Sequence, residues 1–188
     1  IGGCAQVGTP TGGPRDSIPP VLITAVPKLY QTNFAGDKIT LTFDEYINLE
    51  DVQKNLLVSP YPKIAPQVNF KLKTVTVKLR DTLLANTTYA INFGNAIKDN
   101  NEGNPFRDFT YVFSTGSTID SLTLSGQIIL AETGKKDSTM VALLYRDADD
   151  TTVQHRKPNY VARCDSAGKF TFTNLSEGTY KIYGLKDN

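Results

Sequence analysis

In LANTTYAINFGNAIKDNNEGNPFRDFTYVFSTG, residues Leu84 to Gly116, apolar and polar side chains alternate twice. Tyr89, Ile91 and Phe93 alternate with Thr88, Ala90 and Asn92, the period-2 pattern of a strand with one buried face. Phe109, Tyr111 and Phe113 alternate with Thr110, Val112 and Ser114 in a second strand expected beside the first. Between them, Lys98 to Asn104 (KDNNEGN) predicts a polar turn in which Gly103 is free to take positive φ.

Toward the N-terminus, Ile39, Leu41 and Phe43 oppose Thr40 and Thr42 in a strand ended by Asp44-Glu45, and Val21 to Ile23 forms another after Pro19-Pro20. Asn48 is placed to cap a short helix carrying Leu49, Val52 and Leu56. Gln67 to Phe70 and Thr74 to Leu79 read as a hairpin, with Val75, Val77 and Leu79 inward. Tyr89 stands where a tyrosine corner would, its hydroxyl returning to backbone near Leu84. About seven short strands within roughly 100 residues predict an Ig-like sandwich over 17–117.

Beyond a junction at Ser117 to Ser121, a second β pattern begins with Leu122, Leu124, Ile128 and Leu130. It continues through Met140 to Tyr145, Tyr160 to Cys164, Lys169 to Thr173 and Thr179 to Leu185. Asp165 to Gly168 and Asn174 to Gly178 are its tight turns, and Asp147 to Lys157 is expected to be a mobile polar loop. The expected fold is therefore all-β: two tandem β-sandwich domains, 17–117 and 118–188, behind a flexible Gly/Pro-rich tether at 1–16. Few contacts are expected to cross the junction, and the second domain reads as truncated after Asn188.

Composition narrows the function. Lys and Arg number 20 against 19 Asp and Glu, a net charge of +1, so there is no electrostatic footprint for nucleic acid. No apolar run approaches the ~20 residues needed to span a bilayer. One His and two Cys leave little for catalysis or metal binding, so no enzyme activity, cofactor, metal site or small-molecule substrate is expected. Asp99, Asn101 and Gly103 lack the spacing and the terminal bidentate Glu of a calcium loop and read as a plain turn. Asp44 and Glu45, adjacent on a strand, face opposite sides and cannot converge on one substrate atom. His155 reads as a solvated loop residue and Cys164 as a structural thiol, with a Cys4–Cys164 bridge disfavoured by their contexts. Asn86-Thr-Thr88 and Asn174-Leu-Ser176 match eukaryotic-type sequons by spacing alone and carry no weight as sites.

Ile1-Gly2-Gly3-Cys4 resembles the end of a bacterial lipobox, in which the small residues admit the signal peptidase and the Cys4 thiol accepts the acyl chains. With Pro10-Thr-Gly-Gly-Pro14-Arg-Asp16, Ile39-x-Leu-x-Phe-Asp-Glu45, Asn86-Thr-Thr-Tyr89 and Phe113-Ser-Thr-Gly116, the chain resembles Bacteroidota envelope lipoproteins. These carry a bacterial Ig-like domain of the S-layer-protein (SbsA) type. Gly168 to Ile182 resembles the prealbumin-like, carboxypeptidase-regulatory type of β-domain. The resemblance implies a cell-envelope protein anchored to the outer membrane through lipidated Cys4. Its modules would be non-enzymatic, serving structure, adhesion or docking to an envelope protein partner. Two alternatives stand beside this: accessory modules of an enzyme whose catalytic domain lies beyond the C-terminus, and a carbohydrate-binding module. The latter calls for exposed aromatics on one sheet face, whereas the alternation sends most Tyr and Phe inward.

Asp followed by Ser or Thr and then an apolar residue or Thr occurs at six places, centred on Ser17, Thr82, Ser121, Ser138, Thr151 and Ser166. Roughly one such triplet is expected by chance, and Asp-Ser and Asp-Thr also favour turns. The resemblance implies O-glycosylation at these hydroxyls, since exported Bacteroidota proteins commonly carry sugars at triplets of this form.

Overall fold

The computed structural model describes residues 15–186, except 108, 131, 132, 135, 137 and 150. Its first half holds β1 (Leu22–Val26), β2 (Lys38–Phe43), β3 (Ile47–Leu49), the four-residue helix α1 (Val52–Asn55) and β4 (Leu57–Ser59). Then come β5 (Gln67–Lys71), β6 (Thr74–Lys78), β7 (Thr88–Asn92), β8 (Ile97–Asp99) and β9 (Thr110–Ser114). One sheet runs β1-β2-β6-β5, a second runs β4-β7-β9, and β3 pairs with β8 as a short ribbon. All of these pairings are antiparallel.

The alternation read from the sequence fixes what lies between the sheets. Ile39, Leu41, Phe43, Val75 and Val77 point inward from the first sheet and meet Tyr89, Ile91, Tyr111 and Phe113 from the second. Full burial of each such aliphatic or aromatic side chain contributes about 1.5–3 kcal/mol. The predicted neighbours β7 and β9 pair with Tyr89 opposite Phe113, their rings stacked 5.2 Å apart. The residues facing away on the first sheet form rows across its strands. One row is Thr24, Thr42, Thr74 and Lys71; the next is Val26, Thr40, Thr76 and Asn69. A third sets Lys38 directly opposite Lys78, which in turn faces Gln67.

Three local expectations change. Asn48 lies in β3 and does not cap α1; the residue before the helix is Asp51, in left-handed conformation at φ 47, without a side-chain cap bond. Pairing with β8 claims this segment before helix propensity can act. Lys98 and Asp99, expected in a turn, belong to β8, because Ile97 is buried in the core and carries its neighbours into register with β3. Finally, β7 is covered on both faces, since Thr88 and Ala90 are buried as well as Tyr89 and Ile91. What covers its second face comes from the other half of the chain.

That half holds β10 (Leu122–Gln127), β11 (Met140–Arg146), α2 (Thr152–His155), β12 (Tyr160–Arg163), β13 (Lys169–Leu175) and β14 (Tyr180–Lys186). β10 pairs with β13, and β11 lies between β12 and β14. A second buried cluster, including Met140, Leu144, Tyr160, Phe170, Phe172 and Leu175, lies between these sheets. Leu122 and Leu124 remain 50% and 37% exposed, because β10 has β13 as its one strand partner. The polar segment 147–157 contains the short α2, so it is partly ordered. Among the described residues no sheet runs from the first half into the second.

Candidate functional site

A dense set of hydrogen bonds gathers at the corner where the first half hands over to the second. The Leu84 N–H donates to Tyr89 Oη at 2.8 Å, the return bond expected of a tyrosine corner. The Leu84 carbonyl accepts from Thr115 Oγ1 at 2.7 Å, and Thr115 Oγ1 accepts from the Thr87 N–H at 3.0 Å. Asn86 turns the chain at φ 48, and a Cβ on Gly116 would lie 3.0 Å from Asn86 Cα. Asn86-Thr-Thr-Tyr89 and Phe113-Ser-Thr-Gly116, far apart in sequence, are thus one constellation. It extends into the junction: the Asp120 N–H donates to Thr88 Oγ1 at 2.8 Å, and its carbonyl accepts from Asn174 Nδ2 at 2.9 Å.

A second set of bonds joins β4 and α1 to β12. The Tyr61 N–H donates to the Asn159 carbonyl at 2.6 Å, with Lys157 Nζ 5.7 Å from the Tyr61 ring centroid. At the other end of β12, Arg163 donates to the carbonyls of Lys54 and Asn55, which the short α1 leaves unpaired within its own helix. Between these ties lies a cleft of about 390 Å³, lined by Ser59, Asn92 and Thr110 on one side and Val161, Arg163 and Thr171 on the other. This contact covers the outer face of β7, and it crosses the junction more extensively than the sequence alone predicts.

At the opposite end of the first half, Asp99 organises its loop. Its carboxylate is 2% exposed and accepts the N–H groups of Asn101, Glu102 and Gly103 on one oxygen and of Asn104 on the other, at 2.6–3.0 Å. Burial raises the Asp99 pKa, but the four N–H donors outweigh it and leave the carboxyl below its usual range. With those lone pairs engaged, Asp99, Asn101 and Gly103 form a turn held by its own backbone, as the spacing predicts. Glu45 shifts the other way, raised by burial and by the charges of Asp99, Asp44, Asp16 and Glu102. Asp44 accepts from the Val21 N–H at 2.8 Å, so the Asp44-Glu45 pair serves the strand end. The loop also holds the tether: Asn104 Nδ2 donates to the carbonyls of Asp16 and Ile18, and Arg15 donates to that of Glu102. Arg15 and Asp16, expected to lie in the flexible tether, are therefore tied down.

Cys4 lies outside the described residues. The six candidate hydroxyls at Ser17, Thr82, Ser121, Ser138, Thr151 and Ser166 are all exposed. They occupy separate places and form no common site. Several of the preceding aspartates do turn chemistry: Asp16 accepts from the Ile18 N–H, Asp81 from the Lys63 and Thr82 N–H groups, and Asp165 from those of Ala167 and Lys169. His155 is exposed at the end of α2. Cys164 is a free, buried thiol whose pKa is raised by burial and by Asp165. Burial pushes the Tyr111 phenol up to about 12, where its hydroxyl donates to the Pro27 carbonyl at 2.7 Å. Among the described residues no group of three or more His, Cys, Asp or Glu is placed to hold a metal. Sequence reasoning missed Arg163, Asn174 and Asp120, because no periodicity distinguishes a side chain that reaches across a tertiary contact.

The bacterial Ig-like domain family matches residues 16–115, more than half of the chain. The chain belongs to that family. Its Ig-like domain comprises the strands β1 to β9 and includes the tyrosine corner, the Asp99 loop and the tether contacts. Among solved structures, an L,D-transpeptidase from Mycobacterium smegmatis overlaps 78% of this chain and 74% of its own, at 10% identity and a TM-score of 0.36. The N-terminal part of the bacterial S-layer protein SbsC overlaps 87% of this chain and 37% of its own, at 20% identity and a TM-score of 0.36. Neither superposition is close enough to bear on the function of the Ig-like domain protein. No curated protein matches the chain.

Proposed function

We propose that this chain is a non-enzymatic cell-envelope lipoprotein in which the Ig-like domain is a structural and partner-docking element. Acylated Cys4 would anchor it to the outer membrane, with the segment up to Asp16 as tether. The second half would be a separate prealbumin-like β-domain of the carboxypeptidase-regulatory type. The observation that carries this reading is the tie between the two buried cores. The Asp120 peptide is clamped from both sides, and Arg163 and Tyr61 join β12 to α1 and the segment after β4. Such a joint suits an element that holds its neighbours at a set angle. The lipid anchor is supported by the lipobox-like Ile1 to Cys4, Ala5 rather than Asp after the Cys leaves outer-membrane sorting open, and the motifs around Pro10 to Asp16 support a source in Bacteroidota.

Cell fractionation tests the anchor. Each buried acyl CH₂ contributes about 0.8 kcal/mol, so several chains on one residue hold a protein firmly in the membrane. Full-length protein carrying Cys4→Ala should move to the soluble fraction; retention in the membrane would place the anchor elsewhere. Intact-mass analysis of native protein should show hexose-sized additions at one or more of Ser17, Thr82, Ser121, Ser138, Thr151 and Ser166. An unmodified mass would leave those triplets as turn chemistry alone.

A further inference from the structure

We propose that the pocket between α1 and the proline-rich segment after β4 binds a small apolar anion, a ring or short hydrocarbon body carrying one carboxylate. This goes beyond the structural and docking reading and does not depend on it. The pocket has a volume of about 310 Å³, within the usual range for small-ligand sites. Val52, Leu56 and Val58 line it from α1 and β4, and Pro62, Ala65 and Pro66 line it from the segment that follows. Pro60, Pro62 and Pro66 offer no N–H, so residues 60–66 cannot continue the ladder of β4 and stand apart from it. Val58 belongs to the first core and Leu56 packs against that core, so these walls are set by the fold before any ligand arrives.

The mouth supplies the charge. Lys63 and Lys157 line it and are exposed, and neither ammonium has an ion-pair partner among the described residues. No acidic residue lines the pocket. The aspartates on the adjoining segments are engaged elsewhere: Asp81 accepts the Lys63 and Thr82 N–H groups, and Asp51 lies 4.0 Å from Lys54. Lys157 comes from the second half of the chain and is held in place by the joint. Its Nζ lies 5.7 Å from the Tyr61 ring centroid, and the Tyr61 N–H donates to the Asn159 carbonyl at 2.6 Å. The site is therefore complete only with both halves docked. Two unpaired cations at the rim of an apolar pocket fit an apolar body whose carboxylate stays at the mouth, still in contact with water. There its attraction to the ammonium groups is opposed by little desolvation. A sugar would instead set its hydroxyls against walls that are apolar apart from Gln53 and the Tyr61 hydroxyl.

The test titrates 4-phenylbutyrate into the purified chain, with 4-phenylbutanol as its uncharged counterpart, and follows binding by two-dimensional amide NMR. Saturable shifts should gather at Val52, Leu56, Tyr61 and Lys157, and the alcohol should bind at least about tenfold more weakly. Lys63→Gln/Lys157→Gln should weaken the acid about tenfold, to the level of the alcohol. Ala65 is exposed, so Ala65→Trp fills the pocket without entering a core and should abolish binding. Lys38→Gln/Lys78→Gln changes the net charge equally elsewhere and should leave binding within about twofold. The amide spectra themselves establish that each variant is folded. Shifts centred elsewhere, equal binding of the alcohol, equal loss in the charge-matched control, or unchanged binding in Ala65→Trp would each overturn the proposal. Acetyl-Phe-Glu-amide offers the same groups within a peptide; tighter binding of it would assign the pocket to a protein segment and also overturn the proposal. A failure here leaves the docking and anchor readings standing, because co-purification from membranes and cell fractionation test those separately.

Discussion

Replacing Tyr89 with Phe removes one atom from the corner and little else. The ring stays, and with it the stack on Phe113 at 5.2 Å and a position 7% exposed. What goes is the acceptor for the Leu84 N–H, 2.8 Å away in a partly buried setting. A lost hydrogen bond of this kind costs about 1 kcal/mol, and an unpaired, partly buried donor raises that toward ~2 kcal/mol. For a chain of 188 residues, ~1.5 kcal/mol corresponds to a fall in Tm of roughly 3–6 °C. Urea unfolding followed by circular dichroism measures it. Thr115→Val gives a control on the same residue's backbone, since Thr115 Oγ1 donates to the Leu84 carbonyl at 2.7 Å. The two changes should couple by about 0.5 kcal/mol or more in a double-mutant cycle. The phenol pKa is raised by burial, opposed by the Leu84 N–H, so it lies above its unfolded value near ~10. Its contribution is fully present below that value and is lost as pH rises through the folded pKa, so the difference from Phe should shrink in strong alkali. A Phe variant within ~0.3 kcal/mol of the parent at pH 7 would show that the corner bond contributes nothing net.

Asp99→Asn should destabilise the protein by about 2 kcal/mol at neutral pH, because the amide NH₂ meets backbone donors that the carboxylate accepted. The folded Asp99 pKa is depressed, so its stabilisation is present above the unfolded value near ~3.9 and is lost as pH falls through the folded one. Stability curves of parent and variant should therefore converge in acid; curves that stay parallel would refute this. Arg163→Ala removes the tie to the Lys54 and Asn55 carbonyls, and protease cleavage within 117–121 should accelerate several-fold as the joint opens. An unchanged cleavage rate would assign the joint to Tyr61 and Asp120 alone.

The sequence by itself determined the β-sandwich and much of its detail. Period-2 alternation at Ile39 to Phe43, Thr74 to Leu79, Thr88 to Asn92 and Thr110 to Ser114 leaves one register that buries the apolar set, because a slip of one residue would turn that whole set outward. The Tyr89 bond to Leu84 was legible for a similar reason: a five-residue loop closes locally and its partner lies nearby in the chain. Tertiary structure decided what local pattern cannot carry. Asn48 entered β3 because a strand partner fifty residues away outbid its cap propensity. Thr88 and Ala90, spaced as a solvent face, are buried because β13 packs on β7 while β12 packs on the neighbouring β4. Arg163 and Asn174 became the ties of the joint through contacts with Lys54, Asn55 and Asp120, residues more than fifty positions distant. The threonine and lysine rows were visible strand by strand, but only sheet order β1-β2-β6-β5 sets Lys38 against Lys78. Periodicity encodes which side of a strand faces the core; it does not encode which strand lies alongside, and the joint and the charged face both depend on that.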